Sequence, residues 1–197
     1  NEKSLARVGL VYSQQTAACY GFPDARAKVE DPSLGFYQAL VEARIPFEMV
    51  HDQLLDAEHV GQFRVLILPN IACLSDAQCQ QIMAFVSNGG GIVATLETSL
   101  YNEKGERRAD FGLASLFGAS FAGKVEGPML NSYLNLKQDT ATGKYHPLLA
   151  GLGDTARIIN GTHQVHVTAN GASLPSPLLT EPTYPDLPME EVFPRAN

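Results

Sequence analysis

Apolar residues follow two different rhythms along this chain, and the change of rhythm organises the reading. The run Val65-Leu66-Ile67-Leu68 is unbroken and is closed by Pro69-Asn70. Without polar alternation it predicts a strand covered on both faces, as in a parallel sheet between helices. Next, Ser75 and Gln78 stand at the capping-box spacing of a helix start. Cys79, Ile82, Met83 and Val86 follow at i, i+3, i+4 and i+7, one apolar helix face. Asn88 and Gly89-Gly90-Gly91 stop that helix, glycine being the residue best suited to a left-handed helix end. Ile92 to Leu96 reads as a second buried strand ending at Glu97. Strand, helix and strand in about 35 residues make a βαβ crossover, expected to be right-handed.

The same rhythm runs through the preceding residues. Arg7 to Ser13 predicts a central strand, and residues 14–30 a long loop holding Tyr20, Gly21, Phe22 and Pro23. Asp31 is expected to cap a helix with Pro32 at its first position. Leu34, Tyr37, Leu40 and Val41 would be its buried stripe, and Pro46 its end. Phe47 to His51 predicts a strand, and Asp56 to Gly61 a short helix. The first hundred residues thus alternate β-α-β-α-β-α-β. That pattern implies an α/β fold: a flavodoxin-like, doubly wound, mainly parallel sheet with helices on both faces. Burying each apolar side chain of Val65–Leu68 is worth roughly 1.5–3 kcal/mol, so together they rival a domain's net stability.

Beyond Glu97 the rhythm changes. Residues 99–109 form a polar stretch with a turn at Asn102-Glu103-Lys104-Gly105. A short helix is expected over Phe111–Phe117, capped by Asp110 and ended by Gly118. Leu130, Ser132, Leu134 and Leu136 alternate with polar or aromatic residues, as do His163, Val165 and Val167, which predicts C-terminal antiparallel strands. Pro175, Pro177, Pro182, Pro185, Pro188 and Pro194 exclude helix and central strand from the tail and predict an extended, proline-rich arm. The expected division is a domain over 1–170 and an arm, or a linker to a further domain, over 171–197.

Composition narrows the partners. The 197 residues are 45% hydrophobic with a net charge of -7. An acidic balance argues against nucleic acid and against an anionic membrane surface, and no run is long and apolar enough to span a bilayer. Three cysteines, Cys19, Cys73 and Cys79, fit neither a disulfide framework nor a zinc spacing. No cofactor and no metal is expected.

Ligands of open parallel sheets bind beyond the carboxyl ends of the strands. Those ends supply the candidate ligand-binding residues Ser13, Asp52, Asn70, Glu97, Thr98 and Tyr101. The segment after the first strand lacks the glycine of a flavin-phosphate loop, and there is no G-x-S-x-G or Walker sequence. Glu97 is the acid best placed for chemistry, with Asp52 its one plausible partner; a carboxylate bonded to backbone or facing solvent is the plainer reading. Tyr20, Phe22 and Tyr101 could stack on a sugar ring or simply pack. His163 and His166 fall on opposite strand faces and cannot chelate one metal. His51 and His59 read as surface histidines.

The residues Arg7–Ser13, Asp31-Pro32 with Gly35-Phe36-Tyr37-Gln38-Ala39-Leu40, Pro46-Phe47, Val65–Asn70, and Phe85-Val86 to Gly91 resemble the beta-galactosidase trimerisation domain. That domain belongs to the class I glutamine amidotransferase-like superfamily, and the likeness spans roughly residues 6 to 118. Leu100–Glu103 through Asp110–Ala114, with Leu178–Arg195, also resembles a group of glycosyl hydrolases, some labelled alpha-L-fucosidase-like. The resemblance implies that active members of the superfamily place a nucleophilic cysteine at about Glu97, where this chain has no thiol. Without a nucleophile and its histidine, amide hydrolysis has no covalent route. The implied role is a non-catalytic accessory or oligomerisation domain of a multidomain glycoside hydrolase, its partners being its own catalytic barrel and further copies of itself. Two alternatives stay open: a small hydrolase using Glu97 and Asp52, and a carbohydrate-binding module using the aromatic loops.

Overall fold

The computed structural model describes residues 4–129, 133–136, 138, 142–153, 155–159, 161–170 and 179–180. The chain divides into two compact units, Asn1–Phe121 and Ala122–Asn197.

The first unit is built on four parallel strands: β1 (Val8–Tyr12), β2 (Phe47–His51), β3 (Val65–Leu68) and β4 (Gly91–Ala94), in the order β2-β1-β3-β4. Its helices are α1 (Gln14–Cys19), α2 (Asp31–Glu42), α3 (Ala57–Val60), α4 (Asp76–Ser87) and α5 (Ala114–Phe117). Strand alternation sorts the core into two layers. Val11, Val50, Leu66 and Leu68 join Val60 of α3 and Cys79, Ile82 and Phe85 of α4. Leu10 and Ile67, with Val8, Phe47 and Val65, join Phe36 and Leu40 of α2. Helices therefore cover both faces of the sheet, as the unbroken apolar runs require. Gly9 permits the close packing of β1, since a Cβ there would meet Leu66 Cδ2 at 2.7 Å.

The α4 signals read as expected. Ser75 and Gln78 form the reciprocal capping box; of the expected face Cys79 and Ile82 are buried and Met83 and Val86 partly so, while Phe85, outside that face, is buried as well. Gly89, at φ 94°, takes the left-handed position beyond the helix, with Gly90 N–H bonded to Phe85 O and Gly89 N–H to Val86 O. The pattern is a Schellman end. A second one closes α2, with Ile45 N–H on Leu40 O and Arg44 N–H on Val41 O, but here an arginine holds the left-handed position at φ 56°. The helix thus ends before Pro46, which only leads into β2.

Five expectations need correction. Residues 14–30 are not one loop: Ser13 caps α1 by accepting the Thr16 N–H, and a π-helical turn occupies Arg26–Glu30. Helices this short show no periodicity to read. Asp31 caps nothing, because that turn runs straight into α2 and its backbone is already helical; its carboxylate meets Arg26 at 3.5 Å. The α2 stripe is displaced: Leu40 is buried, whereas Leu34, Tyr37 and Val41 are half-exposed. Asp110 accepts the N–H groups of Phe111 and Phe121 and does not cap α5, which Gly118 ends at φ 63°. Finally β4 stops at Ala94, and Leu96 turns out of the strand at φ 50°.

In the second unit, β5 (Ala119–Glu126, which begins in the first) pairs with β8 (Gln164–Ala169). β6 (Tyr133–Leu136) lies antiparallel between β7 (Arg157–Ile159) and β9 (Leu179–Thr180), so the expected antiparallel strands are present. His166 meets Glu126 at 3.0 Å while His163 meets Thr162, different partners as their opposite faces predict. The alternation in β8 does not bury one face, since Val167 is half-exposed. Of the proline-rich stretch, residues 171–178 and 181–197 lie outside the described residues, as do Leu130 and Ser132.

Candidate functional site

The carboxyl ends of the four strands gather the sequence-predicted residues into two polar networks. The first joins β1 and β2. Ser13 Oγ donates to Asp52 Oδ2, which also accepts the Gln15 N–H at 3.3 Å. His51 Nδ1 lies 2.9 Å from Asp52 Oδ1. That nitrogen accepts the Gln53 N–H at 3.1 Å, so it brings Oδ1 no donated proton, and Oδ1 accepts no hydrogen bond. Gln78, besides capping α4, donates to Asp52 O at 2.8 Å and accepts from Gln15 Nε2 at 3.2 Å. Thr16 Oγ1 accepts the Cys73 N–H. His51 is therefore part of the crevice and not a surface histidine, whereas exposed His59 simply pairs with Asp56.

Ser13, Asp52 and His51 are the residue types of a hydrolytic triad, but their order is wrong. In a triad the imidazole sits between hydroxyl and carboxylate so that it can take the nucleophile's proton. Here the carboxylate sits in the middle and the hydroxyl points its proton at an acid. Ser13 Oγ is committed twice, donating to Asp52 and accepting from Thr16 at 2.8 Å. The arrangement fixes α1 to β2 and leaves the Ser13 proton aimed at a carboxylate and not at an imidazole.

The second network joins β3 and β4. Asn70 holds φ 49°, Leu96 φ 50° and Ser99 φ 66°. Asparagine tolerates this region; leucine pays for it, and the turn persists only because its surroundings hold it. Those surroundings are explicit. Asn70 Oδ1 accepts the Glu97 N–H at 3.1 Å, Thr95 Oγ1 accepts the Asn70 N–H at 2.9 Å, and Thr98 Oγ1 donates to Thr95 O at 2.7 Å. Asn70 Nδ2 donates to Lys28 O at 2.8 Å, tying the π-helical turn to the sheet.

Glu97 is buried at the centre of this network. Tyr20 donates to one carboxylate oxygen at 2.5 Å and Tyr101 to the other at 3.3 Å. Burial first, and the Glu97 hydrogen bond next, push the Tyr20 phenol well above its ordinary range; burial does the same to Tyr101. Both phenols keep their protons for the carboxylate. Their rings lie 5.2 Å apart, and Lys28 Nζ sits 4.8 Å over the Tyr20 ring. Among the described residues no hydrogen bond or ion pair links Glu97 to Asp52. Tyr20 was legible only as an aromatic in a loop; its bond to Glu97 spans a separation that no local pattern encodes.

Cys73 and Cys79 are buried, and loss of hydration raises their thiols to about 12 and about 11. A protonated buried thiol does not attack. Cys19 is exposed and contacts Glu103 O. Among the described residues no three His, Cys, Asp or Glu side chains gather as a metal site. A cavity of about 370 Å³ lies elsewhere, between α3 and α4, lined among others by Val60, Phe63, Arg64, Gln81 and Phe85.

Solved structures share the fold of this chain. Solved beta-galactosidases share the fold: that of Bacillus circulans sp. alkalophilus at TM-score 0.68 and 16% identity, over 91% of this chain and 26% of that one. A catalytic mutant of Gan42B, a GH42 beta-galactosidase from G. stearothermophilus, matches at 0.65 and 15%, over 91% and 25%. The enzyme from Rahnella sp. R3 matches at 0.64 and 16%, over 90% and 26%. The chain thus spans about a quarter of the length of these relatives. No curated protein sequence matches it. The sequence profile of the beta-galactosidase trimerisation domain matches residues 6–119, more than half of the chain and nearly all of the first unit, so the chain belongs to the beta-galactosidase trimerisation domain family.

Proposed function

We propose that this chain acts as a non-catalytic oligomerisation module beside the catalytic barrel of a glycoside hydrolase, a beta-galactosidase or an alpha-L-fucosidase-like enzyme. One observation carries the reading: the turn after β4 presents Glu97 with both carboxylate oxygens taken by Tyr20 and Tyr101. A catalytic carboxylate needs an oxygen free for substrate or proton. This one is committed to holding loop and sheet together. Ser13, Asn70 and Thr98 are likewise committed to Asp52 and to backbone, and Asp52 Oδ2 holds both Ser13 and the Gln15 N–H, which fits a scaffold role. The Tyr20 ring that could have stacked on a sugar has Lys28 Nζ 4.8 Å from its centre and the Tyr101 ring 5.2 Å away.

The test combines mass and turnover. Sedimentation equilibrium of the purified chain should give a multiple of 21.3 kDa, with no hydrolysis of nitrophenyl glycosides or of amide substrates. A chain that stays monomeric, or one whose turnover disappears in Glu97→Gln, would overturn the reading in favour of a small hydrolase.

A further inference from the structure

We propose that Cys19 and Cys73 form a redox pair: a small disulfide such as oxidised glutathione reacts at Cys19, and the two cysteines then close into one bond. That bond would fasten the segment after β1 to the segment after β3. The inference stands apart from the oligomerisation reading above and concerns the strand-end crevice of the chain itself.

Three segments bring the two cysteines to one junction. The first turn of α1 holds both backbone polar groups of Cys73: Thr16 Oγ1 accepts its N–H at 3.2 Å and Gln15 Nε2 donates to its carbonyl at 3.1 Å. Cys19 follows Thr16 by three positions on the same helix, and residues so spaced are neighbours on one helix face. Cys19 therefore stands one step along α1 from the side chain that touches Cys73. Residues 101–105 close the junction from the other side. Tyr101 pairs with Cys73 in a parallel bridge, its N–H on Ala72 O and its carbonyl on the Leu74 N–H, both at 3.0 Å. The turn that follows lies on Cys19: Cys19 Sγ contacts Glu103 O at 3.5 Å, and a Cβ at Gly105 would meet Cys19 Cβ at 3.0 Å.

The thiols also sense each other. Burial raises the Cys73 thiol first, and the charge of Cys19 raises it further. Cys79 belongs elsewhere: its charged neighbours are Arg108 and Asp76, and its Sγ would lie 2.8 Å from a Cβ at Gly112.

Exposure sets the order of events, since Cys19 is exposed and Cys73 is buried. The Cys19 thiolate attacks one sulfur of oxidised glutathione; that S–S bond breaks and one glutathione thiolate leaves. Cys73, once its proton has passed to a glutathione thiolate, attacks the Cys19 sulfur and expels the second glutathione. Two protein thiols are oxidised to one disulfide, and the reagent is reduced to two thiols. Because burial holds the Cys73 proton, the second step is the slow one. The finished bond closes the loop between residues 19 and 73, which restricts the unfolded chain. It also anchors Tyr20, whose phenol holds Glu97.

The test is intact mass and peptide mapping of the reduced, purified chain after exposure to oxidised glutathione, with thermal midpoints alongside. Expected is a chain lighter by two hydrogens, free of glutathione, with Cys19 linked to Cys73, Cys79 still a thiol, and a midpoint raised by several degrees that dithiothreitol reverses. Cys73→Ser should stop at a glutathione adduct on Cys19, Cys19→Ser should stay unmodified, and Cys79→Ser should form the same link as the wild type. Circular dichroism establishes folding, and Cys73→Ala replaces Cys73→Ser if that variant fails to fold. A natively folded wild type that stops at the Cys19 adduct overturns the pair. So does a link from Cys19 to Cys79, or one joining two chains.

Discussion

Tyr20 and Glu97 lie 77 positions apart in sequence and 2.5 Å apart in space, the phenol donating to a buried carboxylate. This bond closes the segment after β1 over the turn after β4. Removing the donor leaves a buried charged group short of a partner, which costs about 1–3 kcal/mol. Tyr20→Phe should lower the urea midpoint accordingly. Tyr101→Phe, acting through the 3.3 Å bond, should lower it less. In the Glu97→Gln background the Tyr20→Phe penalty should shrink, and additive losses would show that the two side chains are not coupled.

Leu66 sits at 0% exposure in the middle of β3, with Gly9 packed against it. Leu66→Ala should cost about 2–5 kcal/mol through lost burial and a residual cavity. Leu66→Asp should abolish cooperative folding, because nothing around it can pair a carboxylate. A soluble Leu66→Asp chain with a sharp thermal transition would remove β3 from the centre of the sheet.

Arg44 holds a left-handed backbone at the end of α2 where glycine is favoured. Arg44→Gly should stabilise the chain by about 0.5–1 kcal/mol, relief of strain outweighing the added freedom of the unfolded chain. The readout is an upward shift of the thermal midpoint with unchanged helix content.

The buried thiols make stability depend on pH in alkali. Cys73 and Cys79 are raised from an ordinary 9.0 to about 12 and about 11, so the folded chain keeps protons that the unfolded chain releases. A folded value above the unfolded one gives a contribution that is complete below pH 9 and lost as pH climbs towards 11 and 12. Tyr20 and Tyr101, also raised, act in the same direction at higher pH. Stability should therefore fall above about pH 9, and the fall should be shallower in Cys73→Ala/Cys79→Ala. In the native chain at pH 8, a thiol reagent should modify Cys19 and spare the other two.

Local chemistry determines much of this protein from the sequence alone. Unbroken apolar runs demanded strands covered twice, and the Ser75–Gln78 spacing with the glycines after Asn88 bounded α4, because caps and left-handed ends are made by neighbours in sequence. Where local signals are weak, the sequence alone misleads. α1 is too short to show a period, and the π-helical turn took over the start that Asp31 was expected to make. The α2 stripe was misplaced because one apolar arc was wide enough to face the sheet and solvent together, and only packing chose Leu40 over Val41. The crevice divides in the same way. That Ser13, Asp52, Asn70 and Glu97 end strands was readable, since strand ends follow from strand patterns. That a carboxylate separates Ser13 from His51, and that Tyr20 and Tyr101 occupy Glu97, depended on segments far apart in the chain meeting at one edge of a sheet. Hydrogen bonds of that kind are set by tertiary geometry, and the sequence holds no periodic trace of them.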